Sequence, residues 1–119
     1  EPEERDEAAR HILSEIEDAG VNLDDLFAVR ETRKIASASR KGDRQRQRAV
    51  REYAGSNVRT LQYRLEDDAR FKASAERFIK TEAKDSIQSL SEAERSRSSA
   101  PKRLTAYLVL DTAFASMQG

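Results

Sequence analysis

One histidine, no cysteine and a scatter of carboxylates are all that this chain offers to conventional side-chain chemistry. His11 has no second His, no Cys and no spaced carboxylate set beside it, so a zinc site lacks ligands. It reads as a surface residue of an amphipathic helix. Glu66, Asp67 and Asp68 lie close enough to serve a hydrolase or to bind Mg²⁺. They also fall where a following helix needs a cap, and capping accounts for them. No Gly-rich phosphate loop, nucleophile elbow or triad candidate is present. The expectation is a protein that is not an enzyme, with no catalytic, metal or cofactor-binding residues and no cofactor. The run Arg95, Ser96, Arg97, Ser98 and Ser99 could accept phosphate, which neighbouring guanidiniums would hold. Short Arg-Ser runs are common in plain linkers, and that is the reading adopted.

The chemistry left over is ionic recognition, because charge is sorted by position. Residues 1–25 carry ten acids against Arg5 and Arg10, a net of −8. Residues 30–51 carry nine bases against Glu31 and Asp43, a net of +7. The whole chain sums to zero, so neutrality conceals a dipolar molecule. Segregation of this kind governs association and steering rather than fold. At ~100° per residue, Arg30, Lys34, Lys41, Arg44, Arg48 and Arg51 share one stripe, stepping by threes and fours. Phe27, Ile35, Ala38, Ala49 and Tyr53 fall on the neighbouring stripe. A helix so built packs its apolar edge and offers a cationic ridge to a partner. A break at Gly42 would split that ridge. With no Trp and little aromatic interleaving, a base-stacking platform is not expected.

The acidic segment has three readings: a solvated helix, a helix folded back over the basic ridge, or one docked on a neighbouring molecule's ridge. Surface ion pairs contribute only ~0–1 kcal/mol each, so charge alone does not fix it. Ile12, Leu13 and Ile16 recur at helical spacing and are the expected apolar anchor of this arm.

The elements that must position these groups are helices, since no period-two alternation persists long enough for a strand. A first helix is predicted over about 3–19, opened by Pro2 and the early acids and stopped by Gly20. Asn22 is placed to cap a second helix, with Asp25 at the capping-box position. Gly42 and Asp43 mark a break or a tolerated irregularity. Gly55, Ser56 and Asn57 make the stronger stop-and-cap signal. Asp67 or Asp68 then caps a helix carrying Phe71, Ala75, Phe78 and Ile79, continuing through Ile87 and Leu90. Residues 91–101 are Ser-rich, end in Pro, and read as a loop. The last helix, about 102–117, is apolar around most of its circumference and so reads as central and buried.

The fold expected is all-α: an irregular bundle of five or six helices with a largely apolar C-terminal helix at its centre. Residues 1–21 form the acidic arm, and 22–119 the helical core domain with a Ser-rich loop near 91–101. Seventeen of the apolar residues are Ala, so large apolar side chains are few and the core is thin. Opening on Glu-Pro-Glu-Glu without Met favours a piece of a longer chain. Sixteen Arg against six Lys, with abundant Ala, points to a bacterial source. The absence of Cys fits a reducing, cytoplasmic compartment. No apolar run approaches the ~18 residues that span a bilayer, so no membrane partner is expected.

The function expected is a non-enzymatic protein–protein interaction domain acting as adaptor, scaffold or regulator. Its partner would be another protein or itself, as a homo-oligomer. The alternative is a nucleic-acid-binding helical domain using the basic 30–51 segment.

Overall fold

The computed structural model describes residues 2–24 and 26–118. Five helices follow one another: α1 (Pro2–Asp18), α2 (Val29–Ser39), α3 (Asp43–Asp67), α4 (Ala69–Ser96) and α5 (Lys102–Gln118). No strand occurs among the described residues, and the protein is an all-α bundle.

Each helix is set by one apolar stripe. On α4 the stripe is Phe71, Ala75, Phe78, Glu82, Ser86, Leu90 and Ala93, in steps of three or four. On α3 it is Arg46, Val50, Ala54, Val58, Leu61 and Leu65. One charged residue interrupts each stripe, Glu82 on α4 and Arg46 on α3. α5 has no polar face over its middle: Leu104 to Leu110 are all buried, as are Thr112 and Ala113. The buried Thr112 hydroxyl donates to the Leu108 carbonyl at 2.8 Å, which removes the desolvation cost of its placement. α5 lies chiefly along α3, then α4 and α1, while α2 packs on α3 and α4.

The ends obey local backbone chemistry. α1 closes in a Schellman motif, with Val21 N–H donating to Ile16 O (3.3 Å) and Gly20 N–H to Glu17 O (3.0 Å). Gly20 supplies the positive φ of +99° that the motif requires. Val21 follows into the core beside Ile16. Asp68 caps α4, its Oδ1 accepting from Phe71 N–H at 3.1 Å.

Three sequence expectations come out differently, and a fourth lies outside the described residues. Asn22 does not open a helix: its Oδ1 accepts from Asp24 N–H at 3.0 Å, a local Asx turn, and α2 starts only at Val29. Between them Val21, Leu23 and Phe27 are buried, so this connection is pinned by its own apolar side chains. Asp25, expected as the capping-box acid, lies outside the described residues; Glu31 takes a similar role, its Oε1 accepting from Ala28 N–H at 3.0 Å. The interruption expected at Gly55, Ser56 and Asn57 is present as a kink, not as a full stop: Ala54 leaves helical geometry (φ −136°, ψ 32°) beside the Gly55–Ser56 pair, and the buried stripe resumes with Val58, Leu61 and Leu65, so both stretches belong to α3. The loop expected over 91–101 shrinks to 97–101, since Leu90 and Ala93 extend the buried stripe of α4 and a Glu92–Arg95 ion pair supports its last turn.

Candidate functional site

The basic ridge is built by the α2–α3 hairpin. Its turn, residues 40–42, ends on Gly42 at φ +140°, a conformation that only glycine adopts without strain. The break splits the ridge, as the sequence warned, but the hairpin folds the halves together. Arg30, Arg33, Lys34, Ser37, Arg40 and Glu94 line a concavity of about 450 Å³ between α2 and α4. Lys34, Lys41, Gln45, Arg48, Glu52 and Tyr53 line the principal part of an adjoining one of about 400 Å³ between α2 and α3. Lys34 and Ser37, exposed on α2, border both, so the two are adjoining depressions of one cationic face, called the groove below.

The structure therefore brings together Arg30, Lys34, Lys41 and Arg48. Arg44 is exposed on α3 and lines neither concavity. Arg51 is turned away toward α5, its Nη1 donating to Ser116 Oγ at 3.3 Å. Two guanidiniums and two neutral polar groups were missed: Arg33, Arg40, Ser37 and Gln45. Arg33 and Ser37 sit on the same helical stripe as Arg30 and Lys34, so spacing alone could have found them. The same spacing reaches Arg40, seven positions after Arg33, but not its pairing with Glu94, which lies 54 positions away.

Electrostatically the groove is lopsided. Arg30, Arg33, Lys34, Lys41 and Arg48 are exposed and form no ion pair among the described residues. Arg40 is engaged by Glu94, whose hydrogen bond and charge raise the guanidinium's pKa. Glu52 is the remaining carboxylate on the lining. The Tyr53 phenol is raised above its ordinary value by burial first and then by Glu52 and Glu31, with Arg30 opposing.

The acidic arm goes elsewhere. Ile12 and Ile16 are 1% and 0% exposed and enter the same core as the other helices, with Leu13 half-buried beside them. α1 packs on α4 and α5, not on the ridge. Its polar contacts follow suit. Arg103 at the start of α5 donates twice to the buried Glu82 (2.7 and 2.8 Å) and once to Asp6 (2.8 Å). Arg5 donates to Asp85 at 2.6 Å, and Lys102 reaches Glu17 (3.2 Å) and Asp24 (3.6 Å). The hydrogen bond from Arg103 lowers the Asp6 pKa, and Glu82 more than any other neighbour raises that of Arg103. The reading in which the arm folds back over the 30–51 ridge is thus overturned: its apolar anchor faces α4 and α5, and its paired acids find cations there.

Arg46, counted in the basic segment by sequence, is no surface group. It is buried on the stripe of α3, donating to Asp111 (2.9 Å) and Asp43 (2.9 Å). Burial alone would lower its pKa, but the hydrogen bond and charge of Asp111, together with the hydrogen bond to Asp43, turn the direction upward. His11 is exposed and meets Glu15 at 3.1 Å. Among the described residues no group of three His, Cys, Asp or Glu side chains could hold a metal ion, and no helix is long and apolar enough to cross a membrane.

Comparison with known protein families, with curated proteins and with solved structures gave no match.

Proposed function

We propose that the protein is a non-enzymatic interaction domain of the adaptor, scaffold or regulatory kind, which docks an anionic macromolecule on the α2–α3 face. One observation carries the reading: five exposed cations, none in an ion pair among the described residues, line two adjoining concavities of one face, while α1, with the other block of charge, packs on α4 and α5 and does not cover them. Unpaired surface charge of one sign raises the local concentration of an oppositely charged partner and speeds its encounter. The Arg- and Ala-rich, cysteine-free composition supports placing this domain in a larger bacterial, cytoplasmic protein.

The test is retention on immobilised heparin. The parent should elute well above the salt at which Lys34→Glu/Lys41→Glu/Arg48→Glu elutes. Arg70→Glu/Lys80→Glu/Lys84→Glu, an equal charge change on exposed positions of α4, should elute with the parent. Equal loss in both triple variants would mean that net charge, not this face, governs binding, and the reading would fail.

A second reading rests on α1, whose Glu3, Glu4, Glu7 and Asp18 are exposed. This acidic face is complementary to the groove of another copy, which would make the partner the protein itself. A rise in sedimentation coefficient with protein concentration at low salt, abolished at moderate salt, would support it.

A further inference from the structure

We infer that the occupant of the α2–α3 groove is the phosphate backbone of a double-helical nucleic acid. The inference rests on the anionic-docking reading above and narrows it to one partner. Three features of the face select phosphate over an acidic protein. The first is what the groove lacks. Protein interfaces take their affinity from a desolvated core of aromatic and large apolar side chains. The groove offers only Ala38, Ala49 and the half-buried Tyr53. The large apolar residues exposed among the described residues are Val29 and Tyr63, neither of which lines it.

The second feature is what the groove supplies instead. Arg30, Arg33, Lys34, Lys41 and Arg48 are charged donors, and Ser37 and Gln45 are neutral ones. Charge complementarity between proteins contributes orientation and encounter rate more than affinity. Against a phosphate backbone the same cations gain affinity without any apolar anchor, because each neutralised phosphate releases condensed counterions.

The third feature chooses duplex over single strand. Single strands are held by aromatic platforms on which bases stack. Tyr63 is the one strongly exposed aromatic among the described residues, and it stands on α3 roughly 20 Å along the helix from Arg48, beyond the kink. The groove can grip a regular backbone but offers a splayed base only the half-buried Tyr53, with no second aromatic beside it in the lining. Binding of this kind is indifferent to sequence and strongly dependent on salt.

The experiment is fluorescence anisotropy of three labelled probes titrated with the protein across a salt series: a mixed-sequence DNA duplex of about two turns, one of its strands alone, and polyglutamate of matched charge. Duplex affinity should fall with a log–log slope of about −4 to −5, a loss of roughly 10²–10³-fold between 50 and 200 mM salt. Lys41→Ala or Arg48→Ala should each reduce the slope by about 1. Polyglutamate and single strand should bind at least tenfold more weakly than the duplex. Polyglutamate binding as tightly as the duplex, or more tightly, would overturn the nucleic-acid assignment and leave anionic docking on this face standing. Single strand matching the duplex would overturn the choice of a double helix. Duplex binding unchanged by Lys34→Glu/Lys41→Glu/Arg48→Glu would overturn both the partner and the face, with far-ultraviolet circular dichroism confirming that the variant is folded.

Discussion

Three charged side chains do structural work that their residue types conceal. Arg97 ends α4 with φ +55° and ψ +46°, while Ser98 N–H donates to Ala93 O at 3.0 Å and Arg97 N–H to Glu94 O at 3.3 Å. This is the same hydrogen-bond pattern that Gly20 completes at the end of α1, but with a Cβ where left-handed backbone disfavours one. Arg97→Gly should therefore raise stability by about 0.5–1 kcal/mol, read as a higher urea midpoint at unchanged slope. A lower midpoint would show that the Arg97 side chain contributes more than its backbone costs. Arg46 holds the opposite position, buried on a stripe and dependent on Asp111. Asp111→Asn should cost about 1–3 kcal/mol, because a buried guanidinium loses its main ionic partner. Asp6 gives the pH dependence. Its pKa is lowered by the hydrogen bond from Arg103, so the unfolded state takes up the proton at higher pH than the folded one. The stability it contributes is present above its ordinary value of 3.8 and is lost as pH falls through the depressed one. Asp6→Asn should accordingly be less stable than the parent at neutral pH, with the difference closing on acidification below about pH 4.

At the scale of helices, the apolar pattern decided most of the outcome. Each stripe of threes and fours became a helix, and the capping role of Asp68 followed from its place just before one. What failed were stop signals read without their context. The Gly55 signal produced a kink at Ala54 but no separate helix, since Val58, Leu61 and Leu65 extended the buried face of α3, and a Ser-rich composition could not end α4 while Ala93 kept the stripe alive. Asn22 failed for the opposite reason: an Asx turn satisfies its side chain within two residues, leaving no cap to offer. The same logic ranks side chains on α5. Leu108 is buried but Phe114 only half so, at the rim of the bundle. Leu108→Ala should cost about 2–5 kcal/mol and Phe114→Ala distinctly less, by chemical denaturation. α1 is likewise part of the core, so Ile16→Ala should cost within that same range of about 2–5 kcal/mol. Removing α1 would then destabilise the bundle instead of uncovering the basic ridge, because nothing in α1 lies over that ridge.

Across the whole molecule, the separation of charge seen along the chain survives folding as a separation in space. α1 carries exposed acids on one side, and the α2–α3 hairpin gathers exposed cations on another. Sequence made the sign and location of each patch legible, along with four of the cations that share the groove. It could not show that a turn at Gly42 would fold two half-ridges onto one face, nor that Arg46 would leave the surface for Asp111 and Arg51 would turn toward Ser116. Those outcomes depend on which helices become neighbours, and pairings 64 or 65 positions apart leave no local trace. The central claim is that this gathered face, and not the net charge of the chain, is where a polyanion docks. The most direct measurement is a titration of the isotopically labelled protein with duplex DNA at low salt, followed by amide chemical shifts. Shifts should concentrate in residues 30–53, with α1 and α5 silent. Changes spread evenly over the bundle, or centred on α1, α4 or α5, would contradict it.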